Sequence, residues 1–295
     1  MEKQVIFSGV GTALVTPFRD GKIDFTALGR IIDIQLDAGI DALVIGGTTA
    51  ECATLDAEER YALFRFAKER VGTKAKLIFG TGTNDTKHAV RHTEYASKIG
   101  CDGVLVVTPY YNKGTKTGIV AHYLAIAEAS DVPLLLYNVP SRTGVNLDLD
   151  ILTRLGECKK IVGIKEASDS LERIVSLSCL TDSLALYSGN DSTIYPILSL
   201  GGLGVISVVS NIYPRETMEI CKQFFAGDTQ KSLKMQKKLL PVINSLFIET
   251  NPAPIKYAMS RLGLCEAEMR LPLSLPSAKA CERVEEAMAD FEAKE

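Results

Sequence analysis

Histidine is scarce in this 295-residue chain, with three in all, and none of the seven cysteines forms a Cys-x-x-Cys pair with another. Those shortages exclude the commonest zinc constellations, since a thiolate site needs closely spaced cysteine pairs and an imidazole site needs several convergent histidines. His88 and His92 stand one helical turn apart, but no His-Glu-x-x-His pattern and no third ligand accompanies them, so the pair reads as a solvated helix face. The cysteines (Cys52, Cys101, Cys158, Cys179, Cys221, Cys265 and Cys281) are odd in number and scattered, which argues against a disulfide framework and predicts mostly buried, reduced thiols. Positive charge is not in excess either: the formal net charge is -3, which leaves no basic footprint for nucleic acid. No apolar run reaches the roughly 18 residues of a membrane span, and Met1-Glu2-Lys3-Gln4 does not lead into a signal-type apolar core. The expectation is a cytoplasmic protein whose partners are small molecules or copies of itself.

What the chain does contain is an ordinary globular balance, 46% apolar and 23% charged, over a length that can bury a large core. Eight short β-rich runs recur at 11–17, 42–46, 76–80, 103–109, 134–140, 161–165, 184–189 and 204–209. Between them lie segments with helical spacing, such as Leu28, Ile31, Ile32 and Leu36 after Asp24, or Tyr61, Phe64 and Ala67 after an acidic start at 56–59. Strand then helix, eight times over, predicts a (β/α)8 barrel with a parallel sheet. A doubly wound open sheet would usually carry Gly-x-Gly-x-x-Gly after its first strand, and Gly9-Val10-Gly11 lies before and within that strand instead. Helical patterns at 229–247, 254–262 and 277–292 follow the eighth unit with no linker between. The division expected is a catalytic barrel over 1–225 with a helical extension over 226–295 packed on it.

In a barrel of this kind chemistry gathers where the strands end. Lys165 is the most informative residue there, because it is a cation in the apolar run Val162-Gly163-Ile164-Lys165. Burial would lower its pKa and leave a neutral amine able to attack a carbonyl carbon. Alternation sets Ile161, Gly163 and Lys165 on one face and Val162, Ile164 and Glu166 on the other. The bland alternative is a rim lysine paired with Glu166. Tyr137, after Leu134-Leu135-Leu136, is either a core aromatic or a phenol that relays protons to the amine. Thr48 and Thr49 either cap the next helix or, after Gly46-Gly47, let consecutive amides approach a carboxylate. Arg142 is a loop charge or a fork for a second carboxylate. The glycines at 201, 202 and 204 precede the last strand and read as a turn at the barrel bottom.

Five segments in order, Gly47-Thr48-Thr49-Ala50-Glu51, Val107-Thr108-Pro109-Tyr110-Tyr111-Asn112, Tyr137-Asn138-Val139-Pro140-Ser141-Arg142-Thr143-Gly144, Gly163-Ile164-Lys165-Glu166-Ala167 and Gly204-Val205-Ile206-Ser207, resemble the pyruvate-dependent class I aldolase superfamily, and within it the dihydrodipicolinate synthase family. The likeness spans essentially the whole chain. It implies a Schiff base between Lys165 and pyruvate, with Tyr137, Thr48 and Tyr111 as a proton relay. It also implies that Thr49 and the backbone at Ile206 hold the pyruvate carboxylate, that Gly189 lies in the substrate site, and that Arg142 binds the carboxylate of L-aspartate 4-semialdehyde. No cofactor is implied. The assembly implied is a homotetramer of tight dimers, with Tyr111 contributed across the tight dimer. A sister aldolase, such as N-acetylneuraminate lyase or a keto-deoxy-sugar acid aldolase, would share Lys165 and Tyr137 but generally lacks the arginine.

The chain departs from the family pattern at Ala50, usually glycine, and at Cys52, usually a small hydroxyl residue. Alanine restricts positive φ, so a shift of the pyruvate loop is expected. Ala57, Arg60 and His88 stand where family members inhibited by L-lysine carry two histidines and an acidic residue, which predicts weak or absent feedback inhibition.

Overall fold

The computed structural model describes residues 4–293. Eight parallel strands close on themselves in chain order: β1 (Gly9–Ala13), β2 (Ala42–Ile45), β3 (Lys76–Gly80), β4 (Gly103–Val107), β5 (Leu134–Asn138), β6 (Ile161–Glu166), β7 (Ala185–Ser188) and β8 (Gly204–Ser207). Nearly every strand residue is buried, because a barrel strand meets side chains inside and helices outside. That double burial is why the strands were legible as unbroken apolar runs. Two far ends are shorter than expected: the run at 103–109 stops at Val107, leaving Thr108-Pro109 to a loop, and that at 134–140 stops at Asn138, where Val139-Pro140 leads into a helical turn. The first strand differs most. It spans Gly9–Ala13 rather than 11–17, starting where Gly9 has φ +106 and the Asp41 carboxylate accepts from the Val10 amide at 2.8 Å.

Helices α1 (Phe25–Ala38), α2 (Ala57–Val71), α3 (Thr86–Lys98), α4 (Lys116–Glu128), α5 (Leu149–Gly156), α6 (Leu171–Ser178), α7 (Ile194–Ser199) and α8 (Pro214–Phe225) alternate with the strands, with a single helical turn at Pro140–Thr143 between β5 and α5. Their starts are set by side-chain caps. Asp24 accepts from the Ala27 amide, and Asp56 forms a capping box with Glu59, each such cap stabilising its helix by about 1 kcal/mol. Beyond the barrel run α9 (Thr229–Leu246), α10 (Ala253–Arg261) and α11 (Ala278–Glu292); α9 packs on α8 and α11 on α9. Among the described residues no helix is long and apolar enough to cross a membrane.

Two apolar clusters result, one between strands and helices and one inside the barrel. The inner cluster is sealed from the side where the strands begin. Phe7, leading into β1, stacks on Tyr187 with ring centroids 4.5 Å apart, and the Tyr187 hydroxyl donates to the Phe7 carbonyl. The simple alternation expected for β6 fails at its start: the pairing with β5 slips at Val162, so Ile161 joins the outer cluster and Val162 the inner one. A bulge adds one residue and resets the period, after which Lys165 faces inward. Gly163 sits where a Cβ would meet the Ala185 carbonyl at 2.6 Å, so the floor beneath Lys165 tolerates no side chain.

The cysteines are less uniformly buried than expected. Cys101, Cys221 and Cys265 are buried, and burial pushes the thiols of Cys101 and Cys221 up to about 12 and that of Cys265 to about 11, whereas Cys179 is exposed. His92 is not a solvated face residue either. It is half-buried against Tyr61, whose hydroxyl lies 3.1 Å from Nδ1, and burial pulls its pKa to about 4.

Candidate active site

Lys165, 5% exposed, is carried to the C-terminal end of β6. Its Nζ lies 4.4 Å from the centroid of the Tyr137 ring, and among the described residues it has no hydrogen-bond or ion-pair partner. Desolvation pulls the amine down to about 8; the Arg142 charge adds to the fall and the Asp191 carboxylate opposes it. At pH 7 a pKa of about 8 leaves about one amine in ten neutral, against about three in ten thousand for an ordinary lysine. The rim pairing with Glu166 does not occur. Glu166 points to the other side of the strand, where it accepts from Asn138 Nδ2 at 2.9 Å and from Arg173 Nη2 at 3.0 Å.

Tyr137 on β5 is in register with Lys165. Burial raises its phenol above the ordinary tyrosine range, while the Arg142 charge and the neighbouring Thr48 side chain oppose the rise. The phenol is therefore protonated at neutral pH and acts first as a donor. Thr48 and Thr49 do not cap α2, which Asp56 does. They lie in a tight turn after Gly46, whose φ is +70 and where a Cβ would meet the Phe64 ring at 2.8 Å. The amides of Ala50 and Glu51 are spent on the carbonyls of Gly47 and Thr48, which narrows the amides open to a carboxylate to those of Thr48 and Thr49. The left-handed residue in this turn is Glu51, φ +55, and not Ala50. Alanine at position 50 therefore imposes no positive-φ penalty, and the expected shift of the loop on that ground does not arise.

A cavity of about 500 Å³ unites Thr48, Thr49, Tyr137, Arg142, Lys165 and Gly189, six of the eight residues singled out from the sequence. Gly189 is required by close approach, since a Cβ there would meet that of Ala167 at 2.6 Å. Arg142 sits on the helical turn after β5 and donates from Nη2 to the Asn251 carbonyl at 2.9 Å. Ile206 is fully buried within the inner cluster and offers only its backbone. Tyr111 is 88% exposed, in a left-handed conformation with φ +71, and does not line the cavity. Among the described residues no group of three or more His, Cys, Asp or Glu side chains could hold a metal ion.

Two neighbours of the site escaped sequence reasoning. Asp191 lies beyond β7, fully buried, and accepts from the amides of Val208 and Val209 at 3.0 and 2.9 Å. Asn251 lines the cavity from the C-terminal extension and donates from Nδ2 to Thr49 Oγ1 at 3.0 Å. The signal available for it was Asn251-Pro252-Ala253-Pro254, a proline-marked break between two helical patterns.

The barrel and its buried amine describe a chemistry and leave the family open; comparison with known sequences decides it. The sequence profile of the Dihydrodipicolinate synthetase family matches residues 6–290. The chain belongs to that family. A 4-hydroxy-tetrahydrodipicolinate synthase from Clostridium novyi is 47% identical over 269 residues, 91% of this chain and 91% of that protein. The crystal structure of the dihydrodipicolinate synthase of Thermotoga maritima superposes with a TM-score of 0.95 at 41% identity, covering 98% of this chain and 99% of that one. The structure of a monomeric dihydrodipicolinate synthase variant matches with the same TM-score and identity, covering 97% of both chains. Family membership extends over barrel and extension alike, so the segment bearing Asn251 is within the shared fold.

Proposed function

We propose that this chain condenses pyruvate with L-aspartate 4-semialdehyde to give 4-hydroxy-tetrahydrodipicolinate, a step of the diaminopimelate route to L-lysine, through a Schiff base on Lys165. The observation that carries the reading is an unpaired lysine amine, buried to a pKa of about 8, at the floor of a cavity whose wall bears a phenol and a guanidinium.

The neutral amine of Lys165 adds to the C2 carbonyl of pyruvate. Tyr137, which lines the cavity beside Thr48, donates the proton with which the carbinolamine oxygen leaves as water. The protonated imine draws electrons from the methyl carbon, which loses a proton to become an enamine. Thr49 and the backbone near Ile206 hold the pyruvate carboxylate meanwhile. Arg142 orients the semialdehyde by its carboxylate, and the enamine carbon attacks the aldehyde to form the new carbon–carbon bond. The amino group of that adduct then displaces Lys165 by transimination, closing the ring and returning the amine.

Tyr111 enters this scheme from a second copy. Its exposure at the barrel rim suits a side chain that completes a neighbour's relay, in a tight dimer and a tetramer of two such dimers working in the cytoplasm. The test of the reading is borohydride reduction in the presence of pyruvate followed by peptide mass spectrometry. A reduced pyruvyl adduct on Lys165, with product formed from pyruvate and the semialdehyde, is expected; an unmodified Lys165 overturns the proposal.

A further inference from the structure

Asn251 touches both groups assigned to the substrates' carboxylates. Its Nδ2 donates to Thr49 Oγ1 at 3.0 Å, while its backbone carbonyl accepts from Arg142 Nη2 at 2.9 Å. The residue is 5% exposed and lines the same cavity as Lys165. The direction of the first bond matters. With an acceptor lone pair of Thr49 engaged by the amide, the hydroxyl proton of Thr49 remains available to an anion in the cavity.

The segment bearing Asn251 is itself held in register. Lys256, in α10, closes onto Glu51 Oε1 at 2.6 Å, and the other carboxylate oxygen of Glu51 accepts from the Arg270 amide at 3.0 Å. Glu51 is two residues beyond Thr49, in the left-handed conformation noted above, and its amide donates to the Thr48 carbonyl at 3.0 Å. The pyruvate turn and the extension are thus tied twice, at 49–251 and at 51–256. A strained turn persists where its surroundings over-determine it.

We propose that Asn251 is a positioning residue for the condensation: its side-chain amide aims the Thr49 hydroxyl at the pyruvate carboxylate, and its carbonyl sets the Arg142 guanidinium for the second substrate. This rests on the reaction assigned above. Truncating the side chain removes the first contact and leaves the second, so the two substrates respond unequally.

The test is a double-mutant cycle with Asn251→Ala and Thr49→Val, read by steady-state kinetics on the whole enzyme. Asn251→Ala raises KM for pyruvate by about tenfold, the loss expected for one hydrogen bond serving a charged ligand, with kcat and KM for the semialdehyde moving much less. In the Thr49→Val background the same truncation adds little, because its target is already gone. Unchanged KM for pyruvate in Asn251→Ala, or additive effects in the double variant, overturns the positioning role. If Asn251→Ala fails to fold, Asn251→Ser, which retains a short donor, replaces it in the cycle with the same non-additivity required. Borohydride trapping with wild-type protein keeps the two proposals apart: a wild type that forms no adduct overturns the reaction, whereas an adduct together with an additive cycle overturns only the role of Asn251.

Discussion

Lys256 in α10 is fully buried and closes onto Glu51 at 2.6 Å, whereas Lys165 at the end of β6 is almost as deeply buried and has no carboxylate within hydrogen-bond reach. Burial lowers the pKa of both, and each amine lies over an aromatic ring, Phe18 at 4.3 Å for Lys256 and Tyr137 at 4.4 Å for Lys165. Glu51, however, opposes the fall at Lys256 by direct contact, whereas at Lys165 Asp191 opposes it without a hydrogen bond and the Arg142 charge adds to it. Desolvation alone therefore does not make a reactive amine. What separates the two sites is the company each amine keeps: a charge fixed in place by its counter-ion is structural, and a charge left without one at a cavity floor is available to a carbonyl.

Four substitutions and one ligand probe this contrast, in order of expected effect. Lys165→Met removes the nucleophile and lowers kcat by at least about 10³-fold, with a Tm at or above that of the parent, since an uncompensated amine has been exchanged for an apolar chain of similar length. A large loss of Tm would mean that Lys165 is structural after all. Lys256→Met strands Glu51 without its counter-ion and costs about 3–5 kcal/mol in urea unfolding, while the folded fraction still reduces to an adduct at Lys165. A cost near zero would break the comparison from the other side.

The remaining tests tune the reactive amine. Imine formation uses the neutral form, so its rate climbs about tenfold per pH unit below the amine pKa and levels above it. Arg142→Ala removes a cation that lowers that pKa, so the midpoint for borohydride trapping moves to higher pH, and KM for the semialdehyde rises. Asp191→Asn removes the carboxylate that raises it, so the midpoint moves to lower pH. Movement of both variants in one direction would show that these charges do not set the amine. The smallest effect belongs to L-lysine in solution. Arg60 is buried, with its guanidinium donating to the carbonyls of Gly80 and Cys52 at 2.9 and 2.8 Å, and His88 lies beside Asp85 rather than offering a carboxylate itself. Millimolar L-lysine should leave the initial rate nearly unchanged; strong inhibition at or below that concentration contradicts this.

The same contrast explains how far the sequence carried the reading. Lys165 was legible because a cation closing an apolar strand breaks a local pattern, and the strands themselves were legible because parallel barrel strands are apolar on both faces. Lys256 carried a weaker form of that signal. A lysine inside Ala253-Pro254-Ile255-Lys256-Tyr257 looks like the polar stripe of an amphipathic helix, and its counter-ion is 205 positions away. Asn251 was hidden for the same reason, since its partner Thr49 is 202 positions distant. The bulge in β6 left one weak trace, Gly163 next to Val162, since a lone glycine inside a strand often marks a bulge, but only the slipped pairing with β5 reveals that the period restarts there.

The stacked rings of Phe7 and Tyr187 carry a kinetic corollary. Phe7 and Tyr187 fill the barrel below the amine, so both reagents must use the cavity that Lys165 lines: the keto acid has to reach the amine before the larger aldehyde follows, and the water it sheds leaves through that same space. An aldehyde arriving first would obstruct the passage. Excess semialdehyde should therefore slow turnover at low pyruvate, and added pyruvate should relieve the block.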